Sequence, residues 1–399
     1  MSTATHRSPL TDWTVLVPVV ALIALALSWG RDLPGYAVAL VALCLAGAVL
    51  AAVHHAEVVA HRVGEPFGSL VLAVAVTVIE VALIVTLMAD GGDKTASLAR
   101  DTVFAAVMIT CNGIVGLSLL VGALRNRVAV FNAEGSGAAL ATVATLAVLS
   151  LVLPTFTTSK PGPEFSSAQL TFAAVASLAL YGLFIAVQTV RHRDYFLPVE
   201  TRAGTRKPAG AGAPAGGTGN GDGDGSGDGD GGGSGDGSGD GEHAAPPTAR
   251  AALVSLGLLL AALIAVVGDA KAVSPTIEAG VASAGLPNAV VGVIIALLVL
   301  APETLAAVRA ARRGRVQTSL NLGYGSAIAS IGLTIPVIAL ATVWLSGPLL
   351  LGLGPIHMVL LALTIVVSAL TIAPGRATLL QGGVHLVLLA AYLFLAVSP

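Results

Sequence analysis

Eleven apolar stretches, each close to the ~20 residues a helix needs to cross a bilayer, leave this chain few ways to fold. They fall at 13–30, 35–53, 67–89, 102–124, 138–153, 170–190, 250–268, 287–308, 319–345, 355–373 and 377–397. Lipid offers the backbone no hydrogen bonds, so continuous apolar runs of this length must be helices. The expected class is an all-α polytopic membrane protein. Two soluble domains are excluded by 55% hydrophobic residues, 11% charged residues and a mean hydropathy of +0.88. The segment before Trp13 lacks a strong basic region, and no small-residue cleavage site follows Trp29, so the first stretch is read as a retained helix. Cys44 and Cys111 show no CxxC or CxxxH spacing and read as buried thiols rather than a disulfide or zinc framework.

One connection differs from the short turns, marked by Gly, Pro and charge, that join the others. Residues 203–249 are almost wholly Gly, Asp, Ser, Ala and Pro, centred on Gly221-Asp222-Gly223-Asp224-Gly225-Ser226. That composition buries no core and reads as a solvated flexible linker. Its acidic residues invite a calcium-binding reading, but the large apolar residue that β-roll repeats need at a fixed place is missing. The expected organisation is residues 1–34 as N-terminus and first helix, 35–190 as a first five-helix repeat, 191–249 as the linker, and 250–399 as a second repeat. With the N-terminus inside, fifteen Lys and Arg fall on the inner side and five (Arg31, Lys94, Arg100, Lys160, Lys271) on the outer. This imbalance puts the linker in the cytoplasm and the C-terminus outside. Arg309, Arg312, Arg313 and Arg315 read as an inner-side anchor touching anionic lipid.

The chemistry lies where charge interrupts the apolar runs. Glu80 sits near the middle of the third stretch, with Thr77 three residues earlier on the same helical face. Glu303 occupies the eighth, in Ala301-Pro302-Glu303-Thr304. A carboxylate at bilayer depth is costly and usually faces a cavity or ion path. With the first stretch set aside, each glutamate falls in the second member of a group of five. The next stretch in each group is polar and Gly-rich: Cys111-Asn112-Gly113-Ile114-Val115-Gly116-Leu117-Ser118, and Gly325-Ser326-Ala327-Ile328-Ala329-Ser330-Ile331-Gly332-Leu333-Thr334. Aligning Gly116 on Gly332 brings Asn112 and Ser330 to similar depth, within two residues. An odd number of spans per repeat inverts the second copy, as in transporters with a midplane ion site. Two carboxylates offer up to four oxygens to a hard cation, and Asn, Ser and Thr add neutral ones. Without a cation the same carboxylates would bind protons. Competition of that kind, combined with alternating access, is exchange.

Other polar residues carry weaker signals. Glu65 and Glu57, near His54, His55, His61 and Arg62, read either as a proton relay or as a solvated rim. The histidines could sense pH, although an interfacial rim is the plainer reading. His357 and His385 read as packing residues. No nucleotide-binding glycine motif, HExxH or GxSxG accompanies the glutamates, so catalysis and ATP coupling are not expected.

The segment Gly64-Glu65-Pro66-Phe67-Gly68-Ser69-Leu70, continued by Ala75-Val76-Thr77-Val78-Ile79-Glu80-Val81, resembles the first repeat of ChaA-type bacterial calcium/proton antiporters. Residues from Pro302-Glu303 through Gln317-Thr318-Ser319-Leu320-Asn321 to Ile335-Pro336 resemble the second. Ala99-Arg100-Asp101-Thr102 and Ser150-Leu151-Val152-Leu153-Pro154 fit the same group. The likeness covers nearly all the membrane part and excludes the linker. It implies the calcium:cation antiporter superfamily fold, with one extra helix before two inverted five-helix repeats. It also implies Glu80 and Glu303 as cation and proton ligands, supported at Asn112, Ser326 and Ser330. Where eukaryotic vacuolar exchangers have Gly-Asn-Ala before the glutamates, this chain has Val76-Thr77-Val78-Ile79 and Leu300-Ala301-Pro302.

The resulting expectation is an inner-membrane secondary antiporter exporting Ca²⁺ against protons, with Thr77 completing the shell. A Na⁺ or K⁺/proton antiporter on the same fold is the alternative, and a passive cation channel a more distant one. No cofactor and no nucleic-acid partner are expected, and the sequence implies no particular protein partner. The partners are inorganic cations, protons and the lipid bilayer.

Overall fold

The computed structural model describes residues 12–31, 33–64, 67–91, 96–197, 247–344 and 347–398. Glu65 and nearly all of the Gly/Asp-rich linker lie outside the described residues. In chain order the helices are α1 (Trp13–Ser28), α2 (Gly35–Val63), α3 (Phe67–Gly91), α4 (Leu98–Asn126), α5 (Ala133–Phe156) and α6 (Ser167–Arg191). The second set is α7 (Ala249–Ser283), α8 (Ala289–Arg312), α9 (Val316–Ala341), α10 (Pro355–Ile372) and α11 (Leu379–Val397). Among the described residues, nine helices are long and apolar enough to cross a membrane, and Trp13–Ser28 and Val74–Ala89 add two shorter apolar ones. The fold is that of an all-α polytopic membrane protein, with α1 preceding two inverted repeats, α2–α6 and α7–α11.

Two helices outrun their apolar stretches. α2 continues from the expected end at residue 53 to Val63, and α7 from 268 to Ser283. Hydropathy drops at His54 and Asp269, but nothing there breaks the backbone ladder, and α2 and α7 pack along each other. Pro18, Pro275, Pro302 and Pro336 lie inside helices, which neighbouring helices in a membrane bundle tolerate.

Buried apolar side chains form two main groups. In one, α4, α5, α6, α9, α10 and α11 pack around Phe104, Met108, Leu320 and Ile331. In the other, α1, α2 and α7 pack around Val49, Leu259 and Val266. α3 and α8 contribute to both: Ile84, Val293 and Leu300 belong to the first, Ile79, Val291 and Val299 to the second. The helices carrying Glu80 and Glu303 therefore form the seam between two packed bodies.

The repeat relation is visible at two glycines. A Cβ on Gly116 of α4 would lie 3.0 Å from the Cβ of His385 in α11, and one on Gly332 of α9 would lie 2.8 Å from the Cβ of Tyr181 in α6. In each repeat, the third helix uses a glycine to approach the fifth helix of the other repeat, the small-residue packing that membrane helices favour. Further ties cross between repeats. Leu353 N–H donates to the Leu151 carbonyl at 2.8 Å, and Thr155 Oγ1 donates to the Leu353 carbonyl at 2.9 Å. Arg100 Nη1 reaches the Gly352 carbonyl at 3.2 Å while its Nε donates to Asp101 Oδ1 at 2.8 Å. Ala129–Val130 (β1) pairs antiparallel with Arg376–Ala377 (β2).

Candidate cation and proton site

Glu80 stands in α3 between apolar sequence neighbours, Ile79 and Val81, and is 4% exposed. The hydroxyl that reaches it comes from the other repeat: Ser330 of α9 donates to Glu80 Oε1 at 2.6 Å. A hydroxyl-to-carboxylate bond of that length lies in the charge-assisted range. Ser330 is itself 3% exposed, and Ser326, one turn earlier in α9, is half-buried. α9 comes close to the first repeat because Gly323 lets it pack within 3.2 Å (measured from an added Cβ) of Ile114 in α4.

Glu303 occupies the matching place in α8. Its Oε2 is shielded from solvent and has no hydrogen-bond partner among the described residues, and Glu80 and Glu57 both lie within electrostatic range. Pro302 immediately before it lacks an N–H, which leaves the Leu298 carbonyl without its i+4 donor. The seam thus holds two carboxylates from opposite repeats, one capped by a serine and one with an open oxygen. Among the described residues no three His, Cys, Asp or Glu side chains converge as a metal cluster, so any cation here would draw on carboxylate, hydroxyl and amide oxygens.

Asn112 is fully buried, in the π-helical turn Ile109–Ile114 of α4. Its Nδ2 donates to Thr364 Oγ1 at 2.9 Å, and its Oδ1 accepts from His385 Nδ1 at 3.1 Å. In the neutral ring the other nitrogen, Nε2, can then accept from Thr371 Oγ1, 3.3 Å away. Ser330 and Asn112 therefore turn to different partners, Ser330 to α3 and Asn112 to α10 and α11. His385 is not merely a packing residue, since both of its ring nitrogens are engaged. His357 does pack, edge-on against Phe104 at 5.1 Å. Thr77 is 5% exposed and lines an apolar groove of about 480 Å³ between α3 and α9, with Val81, Leu333 and Trp344.

The remaining residues divide as follows. Glu57 is exposed. His55 is buried and donates through Nε2 to the Thr14 carbonyl at 2.9 Å, while His54 packs 6.1 Å from the Trp13 ring. These two histidines fasten α2 to α1 instead of forming a solvated rim, whereas His61 and Arg62 are exposed. Gln317 and Asn321, part of the second-repeat segment, are structural: Gln317 accepts from Asn132 N–H at 2.6 Å, and Asn321 donates to the Phe196 carbonyl at 2.6 Å. A cleft of about 520 Å³ opens between α3, α4, α7 and α8, lined in part by Ser97, Asp101, Glu278 and Asn288.

Two carboxylates from opposite repeats, one hydrogen-bonded across the seam, make this a candidate cation site. Residues 33–190 and 254–398 match the family described as sodium/calcium exchanger protein, and the chain belongs to that family. It is 42% identical over 390 residues to the y4hA protein of Sinorhizobium fredii (strain NBRC 101917 / NGR234), covering 97% of this chain and 96% of that protein. It is 34% identical over 388 residues to the sodium-potassium/proton antiporter ChaA of Escherichia coli (strain K12), covering 96% and 95%. In fold it is similar to native YfkE (TM-score 0.67, 14% identity, 97% of this chain and 99% of that one). It is also similar to the H⁺/Ca²⁺ exchanger CAX (TM-score 0.62, 14% identity, 96% and 86%). The resemblance to ChaA-type antiporters is borne out, and the chain is a multi-pass membrane protein of a cation-exchanger family.

Proposed function

We propose that the chain is a secondary antiporter that exports Ca²⁺ across the bacterial inner membrane in exchange for protons. Glu80 and Glu303 supply the charge, and Ser330, Ser326, Asn112 and Thr77 supply neutral oxygens at one stage or another of the cycle. The observation that carries this reading is the Ser330–Glu80 bond across the repeat interface, with the open oxygen of Glu303 in electrostatic range. A pair of carboxylates in the seam can be neutralised by one divalent cation or by protons, but the two loads exclude each other. That exclusion couples the fluxes. Because α3 and α8 pack into both apolar bodies, a shift of α1, α2 and α7 against the rest would expose the seam first to one side and then to the other.

With the N-terminus inside, as the basic residues lead us to expect, the cleft is the outer approach, and Glu278 supplies its cation-favouring charge, since Asp101 is ion-paired with Arg100. Glu57, exposed yet in range of Glu303, suits a proton path on the inner side; Glu65 keeps that role only as an expectation. A second reading, Na⁺ or K⁺ in place of Ca²⁺, is supported by the relative named as a sodium-potassium/proton antiporter. The test is Glu80→Gln and Glu303→Gln, each nearly isosteric. Both variants should insert at wild-type levels and lose cation/proton exchange to background, and wild-type rates in both would overturn the assignment.

A further inference from the structure

The exchange site does not use every buried carboxylate. Asp269 of α7 is 0% exposed, and neither Oδ1 nor Oδ2 has a hydrogen-bond partner among the described residues. One turn further along, Val273 packs against Val38 and Val41 of α2. One residue before it, Gly268 admits Leu25 of α1, whose Cδ1 would lie 2.3 Å from an added Cβ. Asp269 thus lies in the contact of α7 with α1 and α2, within the body that flanks the seam.

We propose that Asp269 is a second proton-binding site, separate from Glu80 and Glu303, that holds a proton whenever α2 and α7 are packed in this arrangement. An ionised carboxylate with neither oxygen paired is too costly to keep in a dry interface, and such groups neutralise instead. Among the described residues, the titratable groups of the packed elements offer no compensating charge. α1 has none, and α2 brings Cys44, a free thiol within electrostatic range. On α3, Glu80 accepts from Ser330. On α7 itself, Lys271 lies two residues on and so points to a different side of the helix, while Glu278 accepts from Ser274 at 2.9 Å.

Closing α2 on α7 takes one proton from water to form the Asp269 O–H bond, and opening the contact breaks that bond and returns the proton to water. Packing of this body would then depend on pH independently of cation binding. Only the consequence for exchange rests on the antiporter reading; the proton site itself does not.

Infrared spectroscopy of the full chain in lipid vesicles, with aspartate ¹³C-labelled at its side-chain carboxyl, tests the proposal. We expect a protonated-carboxyl C=O band at neutral pH that shifts with the label, is lost in Asp269→Asn, and persists in Glu80→Gln and Glu303→Gln. Exchange in Asp269→Asn, which cannot ionise, should fall at least tenfold with cation affinity unchanged. If Asp269→Asn does not fold, Asp269→Glu should keep a protonated band that no longer follows the aspartate label. The absence of a label-shifted band, or its survival in Asp269→Asn, would overturn the proposal, while undiminished exchange in that variant would overturn only the link from this proton to transport. Exchange surviving in the two glutamate variants would instead sink the antiporter assignment and leave the aspartate band as it was.

Discussion

At Ser330 one hydroxyl joins the two repeats through the carboxylate on which transport is proposed to depend. Hydrogen bonds to charged groups are worth about 1.5–3 kcal/mol. Ser330→Ala should therefore raise the half-saturating cation concentration roughly tenfold or more, at an unchanged protein level. An unchanged half-saturation value in the same flux assay would remove Ser330 from the shell. Glu80 and Glu303 were legible in the sequence because a carboxylate inside an apolar run has few structural excuses. Ser330 was legible because it follows the second glutamate in a polar, Gly-rich span. The partners of Asn112 were not, since His385 lies 273 residues away and looks like an isolated ring in an apolar helix. Asp269 lies one residue beyond the apolar stretch 250–268, so hydropathy alone does not mark it.

At the level of elements, eleven apolar stretches found eleven helices, since hydrophobic length is a demand the bilayer makes on each segment separately. Their ends were less legible. α2 and α7 run on past the apolar stretches because they support each other, and the π-helical turn at Ile109–Ile114 has no local pattern that announces it. Thr110, whose hydroxyl donates to the Ala106 carbonyl at 2.7 Å, marks the turn only once the structure is known. The glycines that allow the repeats to interlock are testable. Gly332→Ala puts a Cβ 2.8 Å from the Tyr181 Cβ, whereas a Cβ on Gly182 of α6 meets nothing within 4 Å. Overpacking of this kind costs about 1–3 kcal/mol. Gly332→Ala should lower the thermal midpoint of the purified protein by several degrees, and Gly182→Ala should leave it in place. Equal midpoints for the two variants would contradict the close α9–α6 approach.

In the molecule as a whole, Glu80 and Glu303 lie on helices of the seam, and the sequence leads us to expect most basic residues on the inner side. Topology gives the first test at this scale. The Ser226→Cys variant should react at its new thiol with a membrane-impermeant reagent in everted vesicles and not in intact cells, and labelling in intact cells would invert the proposed orientation. The proposed proton competition sets the sign of the pH dependence: with protons and cation claiming the same oxygens, the cation concentration for half-maximal exchange should rise as pH falls. The central claim is met most directly by one experiment on everted membrane vesicles with an acidic interior, followed with a pH-gradient dye as Ca²⁺, Na⁺ and K⁺ are added separately. Dequenching by Ca²⁺ that is absent from vesicles carrying Glu80→Gln is the predicted result. A response to Na⁺ or K⁺ alone would contradict the assigned cargo, and no response to any of the three would contradict exchange itself.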